Sequence, residues 1–282
     1  MRAGDLSHVS AILVRALLAA GTCLLLSPGL VNARVANARH SERLRVMTYN
    51  IHVGIGVDKA LDLGRIAEVI NREQPDLVGL QEVDRGVERT HRVDQIKELA
   101  RLTRMEYAFA PNLNYQGGQY GVAVLSRFPI LAIDHRRYAG RRASERRGFI
   151  RVEVAVGKQR VNFVTTHLDH QFNDARVFET TQLLSALEDV HTPLIVVGDF
   201  NDEPAGDAYK LMLTRFADVW EVSGNRAAGL TYPAGKPLKR IDYIFHGKAD
   251  GIRVKGARVT DSPASDHLPL VADFELERRQ PR

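Results

Sequence analysis

The chain has 282 residues, 44% of them hydrophobic and 26% charged, an ordinary globular composition with enough length for one large core. Its formal net charge is +5, a mild basic excess that fits an anionic substrate without demanding a polyanion. A single cysteine excludes an internal disulfide and leaves thiolate-bound zinc without ligands.

The first 38 residues read as a leader. Residues 1–15 are weakly basic, residues 16–26 form an apolar run of eleven, and Ser27, Pro28 and Gly29 break it. Small residues then stand two apart at Val31 and Ala33 and at Ala36 and Ala38. This is the pattern of a secretory signal peptide, and the run is too short to span a bilayer. Cys23 lies inside it, and the preceding Ala20, Gly21 and Thr22 make a poor lipoprotein site. The expectation is removal of residues 1–38, leaving a single secreted or periplasmic domain over 39–282 with no cysteine. Losing the leader's three Arg and one Asp takes the net charge from +5 to +3.

Strand-like and helix-like stretches then alternate. A strand is expected over 45–51, a helix over 58–74 from the spacing of Leu61, Ile66, Val69 and Ile70, a strand over 76–82 and a helix over 94–103. Strand-like runs follow at 107–110, 120–126, 130–135, 149–156 and 161–167, then a helix over 174–187 and a strand over 194–199. Beyond Trp220, strands are expected at 241–245, 252–259 and 268–276. Consecutive strands without helices between them exclude a doubly wound parallel sheet and favour mixed sheets with helices outside. No linker and no repeat divides residues 39–282, so one domain is expected, in a monomer.

Asn, Asp, Glu and His gather where these segments end. The first strand ends at Asn50 and His52, the second at Gln81 and Glu82, and the run 161–167 ends at His167 with Asp169 beyond it. The strand 194–199 ends at Asp199, with Asn201 two residues on and therefore on the same face of an extended chain. Asp242 opens a strand, and Asp266 and His267 precede the last one. Each placement alone reads equally well as a turn or a solvated end. Six together read as a site, because loops at strand ends are where α/β proteins assemble them.

The inventory also selects the chemistry. No Gly-x-Ser-x-Gly elbow, phosphate-binding Gly-x-x-x-x-Gly-Lys loop or dinucleotide fingerprint occurs, and there is no His-Glu-x-x-His. Carboxylates with asparagines form a hard oxygen environment suited to magnesium or manganese. Histidines beside them can exchange protons or donate to an oxyanion, a combination suited to phosphoester hydrolysis.

The ordered set TYNIH, LQEVD, YGVAVLSRFPI, TTHLDH, GDFNDEP, RIDYIF and SDHLPL resembles the endonuclease/exonuclease/phosphatase superfamily, which includes deoxyribonuclease I, exonuclease III, neutral sphingomyelinases and inositol polyphosphate phosphatases. The likeness runs over residues 44–274. It implies a four-layer α/β sandwich of two mixed β-sheets packed face to face, with helices on the outer sides and the active site at the sheets' shared end. By motif, Glu82 resembles the principal magnesium ligand, with Asn50 beside it and Asp266 a further ligand. Asp199 resembles the residue that orients or deprotonates the attacking water, and Asn201 its phosphate-binding companion. His267 resembles the essential histidine and Asp242 the carboxylate that fixes its tautomer. His167 resembles a second histidine that donates to the phosphate. The pancreatic nuclease branch supports that histidine with an acidic residue, and the comparable stretch here, 115–120, has none, so the partner of His167 stays open.

Substrate identity is set by loops. Seven arginines fall in residues 136–151, at 136, 137, 141, 142, 146, 147 and 151. They read either as a phosphate-contacting groove or as a solvated hairpin with its charges on several faces, and no stacking platform beyond Tyr138 and Phe149 is interleaved. Nucleic acid, phospholipid and small phosphate esters are therefore all candidate substrates of a metal-dependent phosphoesterase. The alternative is a binding protein that uses the same fold without turnover.

Overall fold

The computed structural model describes residues 41–140, 145–248 and 251–277. The expected leader, residues 1–38, lies outside them, as do Arg141 and Arg142 and the last five residues. In chain order the described elements are β1 (Glu42–Asn50), α1 (Leu63–Glu73), β2 (Leu77–Arg85), α2 (Gln95–Thr103), β3 (Glu106–Tyr115), β4 (Gly118–Ser126), β5 (Ile130–Arg137), β6 (Gly148–Val156) and β7 (Gln159–His167). There follow α3 (Asn173–Ala186), β8 (Leu194–Asp199), α4 (Asp207–Met212), β9 (Phe216–Asp218), α5 (Val219–Val222), β10 (Asp242–Gly247), β11 (Ile252–Val259) and β12 (Leu270–Leu276).

The strands form two six-stranded mixed sheets. One runs β11-β12-β1-β2-β4-β3 and the other β5-β6-β7-β8-β10-β9. Strand alternation builds the layers between and around them. On β1, Leu44 and Val46 face the second sheet and join Val152, Phe163, Ile195 and Val197 in a central core. Met47 and Tyr49, on the other face, pack against Ile66 and Ile70 of α1 and Ile96 and Leu99 of α2. On the second sheet Val164, Val196 and Phe245 face outward against Leu183 of α3 and Met212 of α4. The result is the expected four-layer α/β sandwich. Burying each such side chain contributes roughly 1.5–3 kcal/mol, and this chain does so in three clusters without a crosslink.

The sheets approach closely near the functional end. A Cβ on Gly79 of β2 would lie 2.4 Å from Val197 and 2.8 Å from Thr165, so glycine is what lets the layers meet there. Beside it Gln81 donates to Thr165 Oγ1 across the sheets at 2.8 Å. The apolar layer thus turns polar toward the strand ends.

Local chemistry sets the element limits. The helix expected over 58–74 begins at Leu63, because the Asp62 side chain accepts from the Gly64 and Arg65 N–H groups and caps it. Asp58 instead binds the Arg65 guanidinium at 2.8 Å. The strand expected at 107–110 runs on to Tyr115 and returns through a two-residue turn, Gln116 and Gly117, both at positive φ (44° and 77°). The short elements α4, β9 and α5 were not expected from the sequence.

Candidate active site

Backbone register brings the polar strand ends together. In the second sheet β7 and β8 run parallel with His167 opposite Asp199, and β8 and β10 run antiparallel with Asp199 opposite Asp242. Three chemically active side chains from distant parts of the chain therefore lie in one line across neighbouring strands. In the first sheet Asn50 is level with Gln81 of β2. The register of β2 against β4 shifts between Leu80 and Val83, and within that bulge Glu82 takes φ 58°. An extra residue at a bulge re-aims a side chain, here away from the regular pleat and into the cleft.

Asp199 is the hub. Its Oδ2 accepts from Asn50 Nδ2 at 3.0 Å and lies 3.4 Å from His167 Nε2 and 3.7 Å from His267 Nε2. Its Oδ1 accepts from the Asn201 N–H at 2.8 Å, which holds Asn201 at φ 48°. The Asn201 amide nitrogen donates to the Leu168 carbonyl at 3.1 Å and lies 3.1 Å from His167 Nε2. The same Asn50 amide nitrogen donates to Glu82 Oε1 at 3.0 Å, while Asn50 Oδ1 accepts from the His52 N–H. Asn50 thus ties Glu82 on one sheet to Asp199 on the other.

His267 donates from Nδ1 to Asp242 Oδ2 at 2.9 Å, and its ring packs 4.7 Å from that of Tyr232. Ser265 steadies the segment, donating to the Asn50 carbonyl at 2.7 Å and accepting from the His267 N–H at 3.3 Å. Asp266 is part-exposed and lies 3.6 Å from His52 Nδ1. His167, Asp199, Asn201, Glu82, Asp266 and His267 all line one cleft of about 870 Å³, and the buried Asn50 and Asp242 hydrogen-bond to members of that set.

Burial governs the ionisation of these groups. Desolvation, reinforced by the charge of Asp242, pushes the Asp199 carboxyl up. Burial opposes a charged His267 ring, but Asp242 and Asp199 together outweigh it and push that ring up as well. His167 goes the other way: burial first, then the Arg147 charge, holds it well below its ordinary value. Arg147 was not expected here from the sequence. It is 3% exposed, with Nη1 2.6 Å from His167 Nδ1 and 3.1 Å from Glu145 Oε1. Among the other described arginines of the same segment, Arg136 and Arg151 pair with Asp134 and Arg137 donates to the Pro111 carbonyl. Nothing local in the sequence marks Arg147; the pairing of Gly148 with His167 across β6 and β7 is what brings it to the site. Arg89, Arg176, Lys239 and Tyr232 also reach the cleft and were likewise not singled out.

The donor set fits a hard divalent cation. Asp199, Asp242 and His267 place three ligand atoms within 4.8 Å of one another, and Glu82 and Asp266 add carboxylates to the same cleft. Asp242 Oδ1 is buried with no hydrogen-bond partner among the described residues, as expected of a site with negative charge to spare.

A model of the Endonuclease/Exonuclease/phosphatase family matches residues 47–267. The Escherichia coli K12 protein YbhP, itself uncharacterized, is 26% identical over 82% of this chain and 96% of its own length. An endonuclease/exonuclease/phosphatase protein from Beutenbergia cavernae is 25% identical with a TM-score of 0.68, covering 84% of this chain and 72% of that one. A mannosyl-6-phosphatase from Bacteroides thetaiotaomicron shares the fold with a TM-score of 0.70 at 20% identity, covering 82% and 99% of the two chains.

Proposed function

The chain belongs to the endonuclease/exonuclease/phosphatase family, and from that membership we propose an exported, metal-dependent phosphoesterase in which water positioned at Asp199 displaces an alcohol from phosphorus. The observation that carries this reading is the convergence on Asp199 Oδ2, which an amide from one sheet and two imidazoles reach within 3.7 Å. A carboxylate so placed can accept a proton from water while the surrounding N–H groups face the phosphate oxygens.

Roles follow from partners. Asp242 holds His267 Nδ1–H, and the raised ionisation of that ring keeps a hydrogen on Nε2 as well, so His267 donates to charge developing on phosphate. Asp199 is then the group left to take the proton from water. Asn201 and His167, on the wall next to it, bind the phosphate. Glu82, with Asn50 and Asp266, would hold magnesium or manganese, whose positive charge offsets that of the phosphate and the attacking oxygen.

The cleft wall carries Arg89, Arg176, Lys239 and His170 but few aliphatic side chains. This supports a small polar phosphate ester over a lipid with its acyl chains in the site. Export rests on the apolar run, the Ser-Pro-Gly break and the small-residue sites of the first 38 residues. Among the described residues no helix is long and apolar enough to cross a membrane.

Bis-p-nitrophenyl phosphate tests the reaction class. Hydrolysis with magnesium or manganese, its loss with chelator and its loss in Asp199→Asn are the expected results. A panel of DNA, RNA, sphingomyelin, phosphoinositides and sugar phosphates then ranks substrates. A protein that turns over nothing in the panel with either metal, yet binds one of these ligands, is the non-catalytic alternative.

A further inference from the structure

Arginine is an unexpected neighbour for a phosphate-binding histidine. A guanidinium has five N–H donors and no acceptor. Any imidazole nitrogen facing it at hydrogen-bond distance must offer a lone pair. Arg147 Nη1 stands 2.6 Å from His167 Nδ1, and Nη2 stands 3.3 Å from His170 Nδ1. The short Arg147 contact thereby places the hydrogen of a neutral His167 ring on Nε2, where Asp199 Oδ2 at 3.4 Å is the acceptor, while the Asn201 amide nitrogen, 3.1 Å from the same Nε2, donates to the Leu168 carbonyl. A carboxylate partner would do the reverse, drawing the hydrogen to Nδ1 and favouring a charged ring that can give a proton away.

Arg147 is built into place. It is nine-tenths or more buried and ion-paired to Glu145. The chain that carries it is pinned by Gly148, where a Cβ would lie 2.5 Å from the Arg136 carbonyl and 2.8 Å from Asn112 Oδ1. The Tyr138 N–H also donates to the Arg147 carbonyl at 2.9 Å. Such a buried cation is costly unless its contacts are used.

We propose that Arg147 is a positioning residue that fixes His167 in a single neutral tautomer, Nε2–H, so that His167 serves the reaction as an oriented hydrogen-bond donor and not as a proton source. The inference rests on the phosphoesterase reading for its consequence in turnover, but its structural claim is measurable without substrate.

Long-range ¹⁵N–¹H spectra of the histidine rings, recorded on the full chain at neutral pH with Arg147→Met, Arg147→Lys and a His167→Gln reference for assignment, test it. Wild type should show the hydrogen of His167 on Nε2. Arg147→Met, which keeps length but donates nothing, should move hydrogen to Nδ1, and Arg147→Lys, which donates, should restore the wild-type pattern. With bis-p-nitrophenyl phosphate, Arg147→Met should lower kcat roughly 10- to 100-fold with KM nearly unchanged, and Arg147→Lys should recover much of the loss. Hydrogen on Nδ1 in wild type, or an Arg147→Met spectrum identical to wild type, overturns the proposal. If the Met variant fails to fold, the wild-type and Lys spectra still decide it. A chain that holds the Nε2–H tautomer but hydrolyses no phosphoester overturns the proposed function and leaves the tautomer assignment standing.

Discussion

Asp242 and His267 are 25 residues apart in the chain and 2.9 Å apart between Oδ2 and Nδ1, both almost wholly buried. The contact holds the Nδ1 hydrogen and favours the charged ring, and the two should act as one unit. His267→Ala and Asp242→Asn should each lower kcat by about 10²–10⁴-fold. The double variant should be little worse than His267→Ala alone. Losses that multiply in full would mean that the pair does not work together.

Glu82→Gln should weaken metal use while sparing the fold. The change removes an anionic oxygen but keeps the shape and the acceptor that Asn50 reaches. Magnesium titrations of activity and calorimetry should show affinity falling about tenfold or more. Unchanged metal dependence would move the cation to the Asp199, Asp242 and His267 cluster.

Gly79→Ala should destabilise the protein through packing alone. The new methyl would meet Val197 at 2.4 Å and Thr165 at 2.8 Å between two sheets that cannot separate locally. A loss of about 1–3 kcal/mol in urea unfolding is expected. A neutral result would show that the sheets have slack at this point.

Glu179 makes stability depend on pH away from the cleft. Its carboxyl accepts from the Asp169 N–H at 2.8 Å, and burial pushes it up to about 7 from a model-compound value of 4.5. Because the folded value is the higher, the folded state binds the proton more tightly, so this group's contribution is greatest in acid and is lost as pH rises from about 4.5 through 7. Glu179→Gln keeps an acceptor and removes the buried charge. Relative to wild type it should gain roughly 2 kcal/mol between pH 5 and pH 8. Denaturation curves at the two pH values give the comparison, and a difference that does not change with pH would rule the effect out.

The proposed export predicts a defined product. Mass spectrometry of protein recovered outside the cytoplasm should find an N-terminus near Arg34 or Arg39. Full-length chain retained in the cytosol would remove export from the proposal.

Much of the site was legible because strand-end residues announce themselves one at a time. Asp199 and His167 stand where a strand run stops and Asp242 where one starts, and the pleat then decides their face. The family resemblance set Asn50 beside Glu82, but the amide that also ties Asn50 to Asp199 depends on how two sheets oppose, which no local pattern encodes. Arg147 was hidden for a related reason. It is one of seven arginines in a short stretch, and only the pairing of Gly148 with His167 sets it apart. The stretch 207–222 escaped because elements of six, three and four residues are too short to display a period.

The line formed by His167, Asp199 and Asp242 across three adjacent strands has an evolutionary corollary. A one-residue insertion or deletion within β7, β8 or β10 would turn every later side chain of that strand to the opposite face and dismantle the proposed reaction centre at a stroke. Rim segments that carry none of the proposed reacting groups, such as the β3–β4 hairpin tip at Gln116 and Gly117, are under no such rule and tolerate changes of length. On the proposed function, the chemistry would then depend on strand frame and substrate choice on the rim, so that a change in a rim segment would alter which ester is bound while leaving the strand line intact.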